Sequence, residues 1–344
     1  MRRVLLVLLV LVLAAGAAVA AKVLRHTSSS SPGSAAGATS TTSTTTAHSY
    51  ATAPLTGLAD PSGLSATRPA LTIKIENTPE ALPQWGIDQA DVVYEEIVNG
   101  GITRLAAVFN SHAPTKVGPV RSVRPTDAQI VWPLGGIFAF SGGAPYAINA
   151  ISQAPVKLED ESSSGAAMFR DPNRQAPHNL YANAAGLFAF KGSPTPPPSL
   201  FTYRSATQAA TGLKVASFTV GFPSIYPVTW TWNVATSSWD RTLFGQPIVT
   251  GTGVRVSPKN VVVMFVNYVN GVGTFSSYAN LQGSGTVWVF SDGREVRGTW
   301  SRGTSKSDVI AYTGANGKPL ALTAGQTWVE LQYVGGPMSV TPAK

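Results

Sequence analysis

Two arginines, Arg121 and Arg124, stand three residues apart in Gly118-Pro119-Val120-Arg121-Ser122-Val123-Arg124-Pro125, a stretch whose glycine and prolines disfavour a long helix. Such a turn can aim two planar guanidiniums and the Ser122 hydroxyl at one anionic group, because arginine meets carboxylate or phosphate as a bidentate fork. The charges around it are segregated. Glu76, Glu80, Asp88, Asp91, Glu95 and Glu96 precede a stretch in which Arg104, Lys116, Arg121 and Arg124 meet no acid until Asp127. Arg104 therefore joins the candidate anion-binding set. Ion pairing with Glu95, Glu96 or Asp127 inside the fold is the competing use of the same cations.

A second polar stretch runs Phe169-Arg170-Asp171-Pro172-Asn173-Arg174-Gln175-Ala176-Pro177-His178-Asn179, with two prolines shaping a loop. Loops carry function more often than element interiors do. Histidine is the side chain that changes charge near neutral pH without perturbation, so His178 is the candidate general acid or base, with Glu95 or Asp171 as its carboxylate partner. Ser122 or Ser141 with His178 and Asp127 or Asp171 can be written as a nucleophilic triad, but no G-x-S-x-G elbow is present to support it. An ordinary hydrogen-bonding histidine is the bland alternative.

These loops need elements to hold them. β-Branched and aromatic runs bounded by Gly, Pro, Asn or Asp predict strands over Leu71–Glu76, Val92–Val98, Leu105–Asn110 and Ile137–Ser141. Further strands are predicted over Phe218–Gly221, Val228–Val234, Val261–Val269, Val287–Phe290, Glu295–Trp300 and Thr327–Val334. Helices are expected over Pro145–Gln153, with proline in the first turn, and over Asn183–Phe190, opened by an asparagine suited to capping. Gly192-Ser193-Pro194-Thr195-Pro196-Pro197-Pro198-Ser199 continues neither a helix nor a ladder, which sets a linker at 192–199 between modules 54–191 and 200–344. The fold class is α+β, a mixed sheet-containing N-terminal module followed by a mainly β C-terminal module. Trp230, Trp232, Trp239, Trp288, Trp300 and Trp328 crowd the second module and read as core and edge packing in preference to a sugar-stacking face.

Arg2 and Arg3 precede an unbroken apolar run from Val4 to Ala21, and Ala18-Val19-Ala20 is a small-x-small cleavage pattern. Residues 1–26 are thus an export signal or, with Lys22 and Arg25 behind the run, an uncleaved membrane anchor. Residues 27–53, almost wholly Ser, Thr, Ala, Gly and Pro, form a disordered spacer. The expected location is the outer face of the cytoplasmic membrane or the medium beyond it. Removing Arg2, Arg3, Lys22 and Arg25 from the 25 basic residues leaves 21 against 17 acidic, a net +4 with no basic stripe, so nucleic acid is not an expected partner. With 0 cysteines, disulfides and thiolate metal sites are excluded, and only His112 and His178 lie beyond the spacer, too few for a multi-histidine metal centre. No phosphate loop or GxGxxG turn occurs, and no cofactor is expected.

Taken together the motifs resemble the YerB-like family, proteins classed as bacterial envelope lipoproteins with no established biochemical function. The resemblance runs from Pro54-Leu55-Thr56-Gly57-Leu58 through Ile75-Glu76-Asn77, Pro83-Gln84-Trp85-Gly86-Ile87, Ala90-Asp91-Val92-Val93-Tyr94-Glu95 and Gly100-Gly101-Ile102-Thr103-Arg104. It continues through Gly118-Pro119-Val120-Arg121-Ser122, Ala176-Pro177-His178-Asn179, Asn260-Val261-Val262-Val263, Asn316-Gly317-Lys318-Pro319 and Gly325-Gln326-Thr327-Trp328-Val329. It implies two α+β modules and an envelope location. Two departures stand out: this chain has no cysteine to lipidate, and Asn99 precedes Gly100-Gly101 where the family tends to have an acid. The reading expected from the residues is an extracytoplasmic protein binding an anionic wall component, a peptidoglycan fragment or wall polymer. Arg104, Arg121, Ser122 and Arg124 form its ligand set, joined by Asn77 and completed by Asn179, His178 and Glu95. A metal-independent hydrolase or transferase on envelope polymers, and a structural or interaction module, are the alternatives.

Overall fold

The first module is built on β1 (Leu71–Glu76), β2 (Val92–Ile97) and β3 (Thr103–Phe109), strands of mixed apolar and charged residues that are buried on both faces apart from the partly exposed Arg104. The computed structural model describes residues 51–190, 195–224 and 227–344. The expected export segment, and the spacer as far as residue 50, lie outside the described residues, as do residues 191–194 of the expected linker. No helix among the described residues is long and apolar enough to cross a membrane.

β3 pairs antiparallel with both β1 and β2, and β4 (Ile137–Ala139) and β5 (Lys157–Glu159) extend the sheet in parallel beyond β1. The short helices α1 (Pro125–Val131) and α2 (Pro145–Ser152) each start with a proline, whose fixed φ suits the first helical turn. α3 (Ala184–Phe188) is capped as expected by Asn183, whose side chain accepts a bond from the Gly186 amide at 3.1 Å.

The ladder does not stop at the first module. Strand Thr327–Tyr333 runs parallel to β2 on one side and to strand Asn260–Val269 on the other, so both halves of the chain share one mixed sheet, 16-stranded among the described residues. From Asn260–Val269 the sheet continues through Gly283–Ser291, Arg294–Arg302, Leu213–Val220 and Val228–Asn233 to Ser238–Leu243. Of the tryptophans, Trp230, Trp239, Trp300 and Trp328 are buried in this module's packing, as core residues should be.

Register decides which side chains meet. Residues directly opposite in a ladder share a face. Glu76 and Glu96 both lie opposite Arg104, and Lys74 lies opposite Ala106, so these groups occupy one face of the first module. Glu95, opposite Leu105 and beside Glu330, lies on the other.

Candidate functional site

Glu76 ends β1, and the Gly118–Arg121 turn crosses that end. The Glu76 amide donates to the Pro119 carbonyl, the Arg121 amide to Lys74 and the Val120 amide to Leu180, at 2.9, 2.9 and 2.7 Å. The turn squeezes between neighbours at Gly118: with φ at 145°, a Cβ there would sit 2.9 Å from the Val120 nitrogen and 3.0 Å from the Leu180 oxygen. The second candidate loop reaches the same place. Arg121 Nη1 donates to the Pro177 carbonyl at 3.5 Å, and His178 Nδ1 lies 2.9 Å from Glu76 Oε2. The other Glu76 oxygen is 3.3 Å from Arg121 Nε and accepts from Thr78 Oγ1 at 3.2 Å. Glu76 is buried at 2% exposure while Arg121 and His178 keep 22% and 25%, so the carboxylate is the floor and the guanidinium and imidazole are the more exposed partners.

The arginines converge on this face. Arg104 Nη1 donates to the Ser122 carbonyl at 3.1 Å, and Arg124 donates to Val123 at 2.8 Å and to Asn99 Oδ1 at 2.9 Å. Arg124 also opens α1, its amide bonded to Asp127 Oδ2 at 2.7 Å. Burial brings the Arg104 pKa down to about 10, and Arg124 and then Arg121 push it the same way, because neighbouring positive charges disfavour a third. Among the described residues neither Arg104 nor Arg124 has a carboxylate within 4.0 Å, and the Ser122 hydroxyl, partly exposed, has no hydrogen-bond partner.

The three acids that might have neutralised them are taken by other cations. Buried Lys74 pairs with Glu96 and, at 2.7 Å, with Asp127. Buried Arg241 pairs with Glu95 at 2.8 Å.

The expected roles of Glu95 and Asp171 need correction. Glu95 is not a partner of His178: it lies on the opposite sheet face at 0% exposure, accepting from Asn77 and Thr103 through Oε1 and from Arg241 and Trp328 through Oε2. Asp171 also misses His178 and pairs with Lys116 at 2.6 Å, whose ammonium stacks on Trp85 and Tyr181. Asn77 belongs with Glu95, away from the arginines, and its Oδ1 accepts from Gln84 at 3.1 Å. Asn179 is 8% exposed and accepts from Arg170 at 2.9 Å. The triads written with Asp127 or Asp171 do not form, since Lys74 and Lys116 hold those carboxylates.

Two residues escaped the sequence reading. Glu76 is the carboxylate that meets His178, and its signal was register: it ends a strand opposite Arg104. Arg241 lies in Ser238–Leu243, a strand not expected from its polar composition. Its guanidinium sits 4.8 Å from the Trp328 ring centroid and 5.8 Å from that of Trp230. Among the described residues no group of three or more His, Cys, Asp or Glu is placed to hold a metal ion.

Fold and site define a two-module α+β protein whose modules share a mixed sheet and whose first module carries a guanidinium cluster beside a His–Glu pair. The chain belongs to the family described as Protein of unknown function (DUF3048): the N-terminal domain matches residues 55–193 and the C-terminal domain residues 218–329. A curated relative, named "Putative lipoprotein YerB" in Bacillus subtilis (strain 168), is 26% identical over 294 residues, covering 81% of this chain and 85% of that protein. The crystal structure of YerB protein from Bacillus subtilis shares the fold, with a TM-score of 0.71 at 23% identity over 84% of this chain and 99% of that one.

Proposed function

We propose that this is an exported envelope protein that binds an anionic group of a wall component, a peptidoglycan fragment or wall polymer, at Arg104, Arg121, Ser122 and Arg124. The observation that carries the reading is the pair of guanidiniums, Arg104 and Arg124, gathered beside Arg121 with no carboxylate within 4.0 Å among the described residues. Clustered like charges are unfavourable until an anion joins them, and a carboxylate or phosphate entering there gains charge-assisted bonds from preorganised forks. The apolar run behind Arg2 and Arg3, and the name of the relative in Bacillus subtilis, support the envelope location.

The test is retention of the full chain on purified cell-wall sacculi. Wild type is expected to sediment with them, and the double variant Arg121→Ala/Arg124→Ala to stay in solution with an unchanged melting temperature. Equal retention of both proteins refutes the reading.

The His178–Glu76 pair favours one second reading, a metal-independent hydrolase or transferase on envelope polymers. There His178 is the general base and Glu76 its orienting carboxylate, the geometry that holds an imidazole ready for proton transfer.

A further inference from the structure

We infer that a second site, a cleft of about 510 Å³ between α1, α2 and strand Tyr278–Asn280, binds an uncharged oligosaccharide. Its walls include three aromatic rings, Trp132, Tyr146 and Tyr278, and the amides of Gln129 and Gln282, with Lys306 the one charged side chain lining it. Aromatic faces with a few placed amide and hydroxyl groups suit a ring that is apolar on its C–H faces and polar around its rim. A saccharide has that construction.

The polar groups are the stronger argument. Gln129 is 7% exposed; its Oε1 accepts from the Leu281 amide at 2.8 Å, yet its Nε2 has no partner among the described residues. The Trp132 indole N–H is buried without a partner among the described residues, and the partly exposed Tyr278 hydroxyl also has none among them. Only the Trp132 nitrogen is buried, while the Gln129 amide nitrogen and the Tyr278 hydroxyl are open to the cleft, so the cleft offers donors to a ligand rich in acceptors. The aromatic walls are held in position. Arg302 and Lys306 lie 5.4 and 5.7 Å from the Trp132 ring centroid, and Tyr146 donates to the Phe275 carbonyl.

Length follows from the neighbouring relief. A second hollow of about 480 Å³, lined in part by Asn267, Asn280 and Trp288, shares Gln282 with the first, so the polar and aromatic lining continues past strand Tyr278–Asn280. A chain of sugars uses such a run better than a single ring. The site is separate in chemistry from the arginine cluster, although α1 joins them: Arg124 opens the helix, and Gln129 lies within it.

The test is isothermal titration of the full chain, kept in a non-glycosidic detergent, with a β-1,4-linked trimer of N-acetylglucosamine. Saturable binding is expected. Tyr278→Phe and Trp132→Phe, which delete a hydroxyl and an indole N–H while keeping a ring, should each weaken it by roughly three- to tenfold, the size of one hydrogen bond. Arg121→Ala/Arg124→Ala should bind the uncharged trimer as wild type does, which separates this site from the anion site. Absence of saturable binding, or unchanged affinity in both ring-retaining variants, overturns the inference.

Discussion

His178 Nδ1 lies 2.9 Å from Glu76 Oε2, although 102 residues separate them, and the same carboxylate is 3.3 Å from Arg121 Nε. One buried carboxylate therefore serves both an imidazole and a guanidinium, and among the described residues it is the one negative charge in direct contact with Arg121. Glu76→Gln keeps the shape and removes that charge. On the binding account the variant should hold inorganic phosphate roughly fivefold more tightly, the effect of about 1 kcal/mol of repulsion removed. On the hydrolase account the variant should instead lose turnover of wall polymer, so calorimetry and a product assay on the same sample separate the two.

Asn99 provides a second lever. Its Oδ1 accepts from Arg124 Nη2 at 2.9 Å. Asn99→Asp should turn this contact into an ion pair, leave the melting temperature within a few degrees of wild type, and weaken phosphate binding by about tenfold. Unchanged affinity would show that Arg124 takes no part.

The buried pair of Glu95 and Arg241 should behave as structure. Arg241→Ala strands a carboxylate at 0% exposure beside Glu330 and should cost roughly 3–5 kcal/mol in urea unfolding, the usual effect of breaking a buried pair. A loss under 1 kcal/mol would mean that water or a proton replaces the guanidinium.

How much of this was legible beforehand follows from what each signal encodes. β1 was readable to the residue because Thr72, Ile73 and Ile75 favour a strand and Asn77 follows its end, and the expected Thr327–Val334 strand differs from the observed Thr327–Tyr333 only at its end. The Gly118–Pro125 and Arg170–Asn179 segments were readable as functional loops from their glycine, prolines and charges. Partner choice was not. Glu95 and Glu96 are adjacent in sequence, but strand alternation sends them to opposite faces, and only the register with β3 and Thr327–Tyr333 tells which acid meets Arg241 and which meets Lys74. α1 was missed because Thr126, Asp127 and Gln129 look polar, yet all are buried against the rest of the fold.

Two buried carboxyls, Asp127 and Glu330, give stability a pH dependence of definite sign. Burial raises Asp127 from 3.8 to about 6, against the pull of Lys74 and with added push from Glu96. Burial first and Glu95 second raise Glu330 well above 4.5. A carboxyl that holds its proton more tightly when folded contributes stability in full below its unfolded pKa, and the contribution is lost as pH rises through the folded value. The stability of wild type minus that of Asp127→Asn should therefore fall between about pH 4 and pH 6 and level off above. The same difference taken with Glu330→Gln should fall from about pH 4.5 upward. Urea midpoints measured at half-unit steps would show these slopes, and a flat difference for both variants would contradict the assigned burial.

The central claim is that Arg104, Arg121 and Arg124 form an anion site open to solution. Titration calorimetry of the full chain with inorganic phosphate tests it most directly. Wild type should bind saturably with an affinity that falls as salt is added, and Arg121→Ala/Arg124→Ala should bind at least about tenfold more weakly at an unchanged melting temperature. Equal affinity in the two proteins, or no phosphate binding by wild type at low salt, would contradict the account.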